Sequence, residues 1–350
     1  MGHNRLKTNK ISALLIRMFC YFCHSYRNRD VAQSGSVHAW GAWGRRFKSC
    51  HPDFFFNLDK NQIMYDILFA KTFLIVGGML VITTLFARIN KAYETTSEAI
   101  INIAGTFIFL FAIIFYDDIY PLNLLLVAIF SGFIGWSIGP TVSALGENFK
   151  MRKYKKQFGL LSKTVVTDKK TFSEKFWGQK DEKKTMYYEK SNSTELFDSD
   201  SEKYKLIIDK IMSSNSFKKD NYHQEWQNVV FQAMLGTTIA VLATASIVFT
   251  SSFDFSILGG FLFIALIVLI VMGVLNVFIF KSKKYSLIRA YFGVLIFTGY
   301  LLYDFDMLKK QMNAGDESWS TAIKIAVNLY LDIINLFLDL LQILAESGGN

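Results

Sequence analysis

The sequence predicts an all-α fold: a polytopic membrane protein, a seven-transmembrane-helix bundle with a polar insert between helices three and four. Three observations predict it. The 350 residues are 51% hydrophobic and 16% aromatic, with only 3 prolines and a mean hydropathy of +0.26. Charge is scarce, at 19% against about 25% in a soluble domain, and it is segregated: Glu147 to Glu225 holds 18 Lys or Arg and 13 Asp or Glu. Finally, seven apolar segments approach or exceed the roughly 20 residues a helix needs to cross the hydrocarbon. Backbone polar groups must be satisfied internally in lipid, so a helical bundle is the economical fold.

The segments run from Ile67 to Ala87, Ala99 to Tyr116, Leu122 to Leu145, Asn228 to Thr250, Phe255 to Phe280, Leu287 to Tyr303 and Trp319 to Leu344. The third contains "SGFIGWSIGP", whose small residues permit close helix contact. The chain therefore divides into helices one to three (64–146), the insert (147–225) and helices four to seven (226–350). Asn102 and Asn276, polar groups inside spans two and five, would either line a path or bond neighbouring helices.

Residues 1–63 are set aside as a spurious or disordered extension. "CYFCH" (Cys20 to His24) matches a haem-attachment pattern, and Cys50 and His51 lie further on. With no haem pocket around them, these read as accidental thiols. "HAWGAWGRRFKSC" (His38 to Cys50) has neither a helical nor a strand period. In permitted codons it spells two short stems closing loops, arranged like the anticodon and T arms of a transfer-RNA gene. The expectation is a start codon placed too far upstream, with Met64 the true start. A signal-peptide core in "ISALLIRMFCYFC" fits less well, because Arg17 interrupts it and no small-residue cleavage site follows. A native chain whose measured intact mass begins at Met1 would end the idea.

The net charge of +9 does not point to nucleic acid. In a chain with spans, Lys and Arg at the joints report orientation and anionic lipid. Loops after spans one, three and five carry them (Arg88, Lys91; Lys150 to Lys156; Lys281, Lys283, Lys284, Arg289), and loops after spans two and four do not. The positive-inside rule then places the insert in the cytoplasm. Within the insert, "DKKTFSEKF", "SNSTELFDSDSEKY" and "SSNSFKK" read as solvated, partly disordered chain, and Glu202 to Met212 as one short amphipathic helix. Lipid-headgroup tethering through "KMRKYKK" or a protein partner through 147–225 are the roles it offers; solvated linker is the plainer reading.

The seventh span, "NLYLDIINLFLDLLQIL", keeps a polar stripe. Counted from Asp332, the side chains Lys324, Asn328, Asn335, Asp339 and Gln342 sit at −8, −4, +3, +7 and +10, one face at about 100° per residue. An interfacial helix would be rich in Lys and Arg on that face; one Lys against two Asp favours a stripe turned into the bundle. An ionised Asp at the bilayer centre costs about 2.5–3.5 kcal/mol, so acids in spans default to a functional hypothesis. Asp304 and Asp306 ("GYLLYDFDMLKK") are about 200° apart on their helix, so one faces the bundle and the other loop or headgroups, near Lys309 and Lys310. If "GDESW" lets the seventh helix begin outside the membrane, Asp304 meets Asp332.

Two carboxyls meeting in a dry place share one proton, because both cannot carry charge at close range. Protonated, they form a latch between helices; deprotonated, they repel or offer oxygens to a hard cation such as Ca²⁺. The alternative on spacing alone is structural: Asp304 caps the interface and Asp332 bonds a polar side chain across helices.

"YLLYDFD" (Tyr300 to Asp306) followed by "NLYLDIINLFLDLLQIL" resembles the closing signature of the Bax inhibitor family, with "SGFIGWSIGPTVSAL" a weaker match to its third span. The resemblance covers about 65–146 and 226–345. It implies a seven-helix protein acting as a proton-sensitive Ca²⁺ leak channel and, in eukaryotes, suppressing cell death. The matched aspartates, Asp304 and Asp332, carry over as the pH sensor and calcium path, the residues that touch the ion; Asp339 and Asp306, outside the matched pair, are read from the sequence as secondary cation contacts. Three departures stand out. Members lack the large insert. Span two here ends "FYDDIY" where some members carry an Arg that locks the pair. Members are also drawn with a cytoplasmic N-terminus, against the charge count.

No Walker loop, nucleophile elbow or H-E-x-x-H helix is present, so the expectation is no enzyme and no cofactor, with calcium the transported ion. Expected partners are the lipid bilayer, calcium and protons, and the expected location a multi-pass membrane site, the plasma membrane if the source is bacterial. The rivals are a non-conducting scaffold using its insert and a proton-coupled transporter.

Overall fold

The computed structural model describes residues 60–168, 182–280 and 282–348. The readings placed on Cys20, Cys23, His38 to Cys50 and Lys281 lie outside the described residues. Eight longer helices are described: α1 (Lys60–Ile89), α2 (Thr96–Phe115), α3 (Leu122–Gln157), α4 (Glu202–Ser213), α5 (His223–Thr250), α6 (Gly259–Leu275), α7 (Lys283–Asn313) and α8 (Trp319–Gly348). All but α4 take part in seven spans long and apolar enough to cross a membrane. A 3-10 turn (Phe255–Leu258) leads into α6, and a π-helical stretch (Asn276–Phe280) leaves it.

The bundle is built around α8, which packs against α7, α5, α1 and α3. Ala322, Ile323, Ala326, Leu329, Tyr330 and Leu336 of α8 are buried against Met79 of α1, Phe130 of α3, and Leu301 and Phe305 of α7. By contrast α2 and α6 stand at the periphery and expose Ile100, Ile108, Phe111, Phe261, Ile264 and Ile270. In water such faces would be aggregation-prone; in a bilayer they meet lipid.

The small residues of α3 set its approach to α1. A Cβ on Gly139 would overlap the carbonyl oxygen of Asn90 and lie 2.5 Å from that of Ala87. One on Gly135 would overlap the Thr83 carbonyl. Glycine here lets two backbones touch. Asn90 Nδ2 then donates to Trp136 O (2.9 Å), fixing the register. Asn102 donates to Ser137 Oγ (2.9 Å) and Tyr93 Oη (3.1 Å), and Asn276 Oδ1 accepts from Ser282 N (3.0 Å). Both asparagines thus bond neighbouring chain.

In its described parts, 147–168 and 182–225, the insert departs from the solvated chain expected of it, whereas residues 169–176 of "DKKTFSEKF" lie outside the described residues. Antiparallel strands β1 (Leu160–Asp168), β2 (Glu182–Glu189) and β3 (Asn192–Phe197) form a sheet in the order β1-β2-β3. Aromatic and β-branched residues such as Val165, Tyr187 and Tyr188 supply strand preference that the surrounding charge concealed. The helix read over Glu202 to Met212 is present as α4, capped by Ser201. Four of the five cations in "KMRKYKK" have partners within the protein. As the last turns of α3 this stretch pairs Lys150 with Asp220 (2.5 Å), Arg152 with Glu346, and Lys153 with Glu225 (3.3 Å). Lys155 donates to Tyr204 Oη (2.8 Å) and sits over the Tyr187 ring, clamping sheet and α4 to α3.

Candidate functional site

The join between α7 and α8 decides what the last two helices can bring together. Gly315, with φ of +75°, ends α7: its N–H donates to Met312 O (3.0 Å) and that of Asp316 to Gln311 O (3.1 Å). Only glycine adopts this left-handed turn without strain. Ser318 Oγ then accepts from Thr321 N (3.2 Å) and caps the start of α8. Hydrogen bonds donated by the Thr321 hydroxyl and by Ser318 N hold the Asp316 carboxyl below the usual range. The chain reverses in five residues, so α7 and α8 run antiparallel along their length.

Asp304 of α7 and Asp332 of α8 meet across this seam, their carboxyls within hydrogen-bonding reach of each other. They are 3% and 7% exposed, and Oδ2 of each has no hydrogen-bond partner among the described residues. Among the described residues no Lys or Arg pairs with either carboxyl, and two adjacent bare charges in an apolar interior are prohibitive. The arrangement is chemically reasonable with a proton on the pair. Tyr300, one turn before Asp304, is within electrostatic reach of both; it stands in the quoted motif, but nothing in its spacing singled it out.

Asp306 does not face loop or headgroups. It is 3% exposed, because α7 continues to Asn313 and the 251–258 segment covers that side. Its partner is Lys310 (2.9 Å), which also binds Asp254 (2.5 Å) and, with Ser256, holds the Asp254 carboxyl far below its usual range. Lys309 instead donates to Val248 O (2.9 Å) and Ser251 O (2.8 Å), closing the end of α5. Asp339, also buried, lies 3.7 Å from Arg289. The two residues read as secondary cation contacts thus each already hold a protein cation.

The stripe on α8 is turned into the bundle at Asp332 and Asp339 but not throughout: Lys324 and Asn328 are exposed. Lys324 Nζ reaches Asp117 at 2.5 Å, and Ser320 Oγ donates to the same carboxylate. Asp117 belongs to "FYDDIY", so a cation from α8 meets an acid at the position where an Arg was noted as missing.

As a cation site the pair is spare. Among the described residues no three His, Cys, Asp or Glu side chains converge. Ca²⁺ takes 6–8 oxygens, roughly, more than two carboxylates supply.

A multi-pass integral membrane protein, with a pair of acids buried between its last two helices, is the class that fold and site define. Residues 221–349 match the family model described as inhibitor of apoptosis-promoting Bax1. The chain is 41% identical over 121 residues to the Golgi anti-apoptotic protein of vaccinia virus strain Lister, covering 35% of this chain and 48% of the relative. Similarity to Protein LIFEGUARD 4 of Arabidopsis thaliana is 40% over 118 residues (33% and 46%). An uncharacterised protein of Campylobacter jejuni is 35% identical over 121 residues (35% and 49%). The chain spans about half the length of the curated relatives it matches.

Proposed function

We propose that this Bax-inhibitor-type membrane protein lets Ca²⁺ down its gradient, gated by a proton held between Asp304 and Asp332. The observation that carries the reading is the meeting of two buried carboxyls from α7 and α8, each with one oxygen unpartnered. With the proton present, one carboxyl donates to the other and the helices are latched. When it leaves, two like charges about 4 Å apart repel by roughly 4 kcal/mol at an effective dielectric near 20. That drives the seam open or draws in a hard cation whose charge compensates both. Asp304 and Asp332 thus serve as pH sensor and as ion contacts. No covalent chemistry is required, and calcium is cargo.

The sign follows: protons close, so leak rises as pH rises through the titration of the pair. Purified protein in liposomes with an entrapped Ca²⁺ dye tests this. Wild type leaks in a pH-dependent way, whereas Asp304→Asn and Asp332→Asn change the rate and flatten the pH profile. A pH-dependent leak unaltered in both variants sinks the gate.

A second reading, a non-conducting scaffold regulating stress or cell death, is favoured by the folded insert clamped to α3 and by the name of the vaccinia relative, an anti-apoptotic protein. It predicts no leak at any pH.

A further inference from the structure

Below the acid pair, polar side chains recur between apolar ones toward the insert side of α8. Asp339 is seven residues after Asp332, about 10 Å along the helix and nearly the same direction around it. Beyond it, Gln342 donates to Ser286 Oγ, and Arg152 donates to Glu346 and to Ala345 O. An all-apolar seam would be cheaper, since desolvating an ion pair commonly costs as much as the pair returns. Packing alone gives no account of an acid at 339.

The seat of that acid is specific. A Cβ on Gly293 of α7 would overlap Oδ2 of Asp339, so only glycine leaves room for the carboxylate. Arg289, one turn earlier, approaches it from the side. Its stem passes over Gly273 of α6, where a Cβ would lie 3.7 Å from Cδ. The guanidinium side chain is 31% exposed and the carboxylate side chain 5%. The pair therefore sits where the buried seam gives way to open surface, held by α6, α7 and α8 together.

We propose that Arg289 and Asp339 form a second closure, a plug at the insert-side mouth of the seam; this rests on the reading of the Asp304–Asp332 pair as the ion path. With Arg289 in place, a fixed positive charge repels an arriving divalent cation and occupies the carboxylate that would bind it. With Arg289 swung aside, Asp339 becomes an ion contact leading to Asp332. Arginine keeps its charge at every physiological pH, so this closure depends on movement and not on protons. Arg289 is then a positioning residue, and Asp339, once released, an ion contact.

Two measurements test it on the full chain with Cys20, Cys23 and Cys50 replaced by Ser. In the first, Asn335→Cys, half-buried between the two acid levels, is labelled with a charged methanethiosulfonate reagent. Labelling is slow in an otherwise wild-type chain, becomes several-fold faster with Arg289→Gln or Gly293→Ala, and returns towards the slow rate with Arg289→Lys. Equal rates across the set overturn the plug. In the second, Ca²⁺ leak from liposomes rises with Arg289→Gln. Should Asp304→Asn and Asp332→Asn move the leak while Arg289→Gln does not, the plug fails and the gate stands. Should no protein leak while labelling still accelerates, the conduction reading fails and the closure stands.

Discussion

The hydroxyl of Tyr330 lies 2.5 Å from Oγ1 of Thr83, and that hydroxyl in turn donates to Ser131 O at 3.1 Å. Tyr330 is fully buried and two residues before Asp332. One hydrogen-bonded chain therefore ties α8 to α1 and α3 on one flank, which fixes the rotation of α8 and turns Asp332 toward α7 on the other.

Tyr330→Phe removes this anchor and leaves Thr83 to its bond with Ser131. The expected cost is about 1–2 kcal/mol, because a buried hydroxyl contact is lost without creating a cavity. Thermal unfolding in detergent reads the cost. In liposomes the same variant shifts the pH profile of the leak, since α8 is free to rotate. A destabilised protein with an unshifted profile would mean that Tyr330 only holds the fold.

Glycines in α1 and α3 differ sharply in what they tolerate. Gly139→Ala forces a methyl into the Asn90 carbonyl, an overpacking of about 1–3 kcal/mol or more because the obstacle is backbone. Gly77→Ala meets nothing within 4 Å and gains up to about 1 kcal/mol of helix preference. Unfolding midpoints should separate in opposite directions; a harmless Gly139→Ala would mean that α1 and α3 are not in backbone contact.

Asp117 predicts an acid-labile contact. The Lys324 ammonium, then the Ser320 hydroxyl, hold its carboxyl below the usual aspartate range. A lowered folded-state value stabilises wherever the carboxyl is ionised, and the stabilisation is lost as pH falls through that value. Lys324 is largely exposed, so screening limits the contribution to about 1 kcal/mol. The gap in midpoint between wild type and Asp117→Asn should be widest near neutral pH and shrink below about pH 4. A gap that stays constant with pH removes the ion pair from the account.

Arg152 predicts a structural role for the basic end of α3. Arg152→Gln loses its pairing with Glu346 and the bond to Ala345 O, freeing the last turn of α8 at a cost of about 1–3 kcal/mol. Faster amide exchange confined to the last turn of α8 is the expected signature. If binding to anionic vesicles falls and exchange does not change, the lipid-tether reading returns.

How much of this was legible beforehand follows from the physics of each signal. Hydropathy reads lipid contact, a one-dimensional property, so the seven spans and their order were visible in composition. The short helix in the insert was visible in its period. The sheet was not, because Glu182–Glu189 alternates poorly and strand preference there depends on the partners it acquires. For Asp306, a helical wheel assigns one face to the bundle and the other outward; it has no means of knowing that the 251–258 segment returns to cover the outward face.

By itself the sequence determined that the chain spans a membrane seven times and that its last helix carries acids on one stripe, since local apolar runs and helical angles suffice for both. The sequence offered the meeting of Asp304 and Asp332 only under a condition on the joining loop, and the tertiary structure decided that pairing and all the others. Asp332 faces Asp304, Asp339 faces Arg289, Asp306 faces Lys310 and Asp117 faces Lys324. Those pairings depend on the turn at Gly315, the rotation fixed through Tyr330 and the close approaches over glycine, each a matter of a few ångströms in three dimensions that no spacing along the chain encodes.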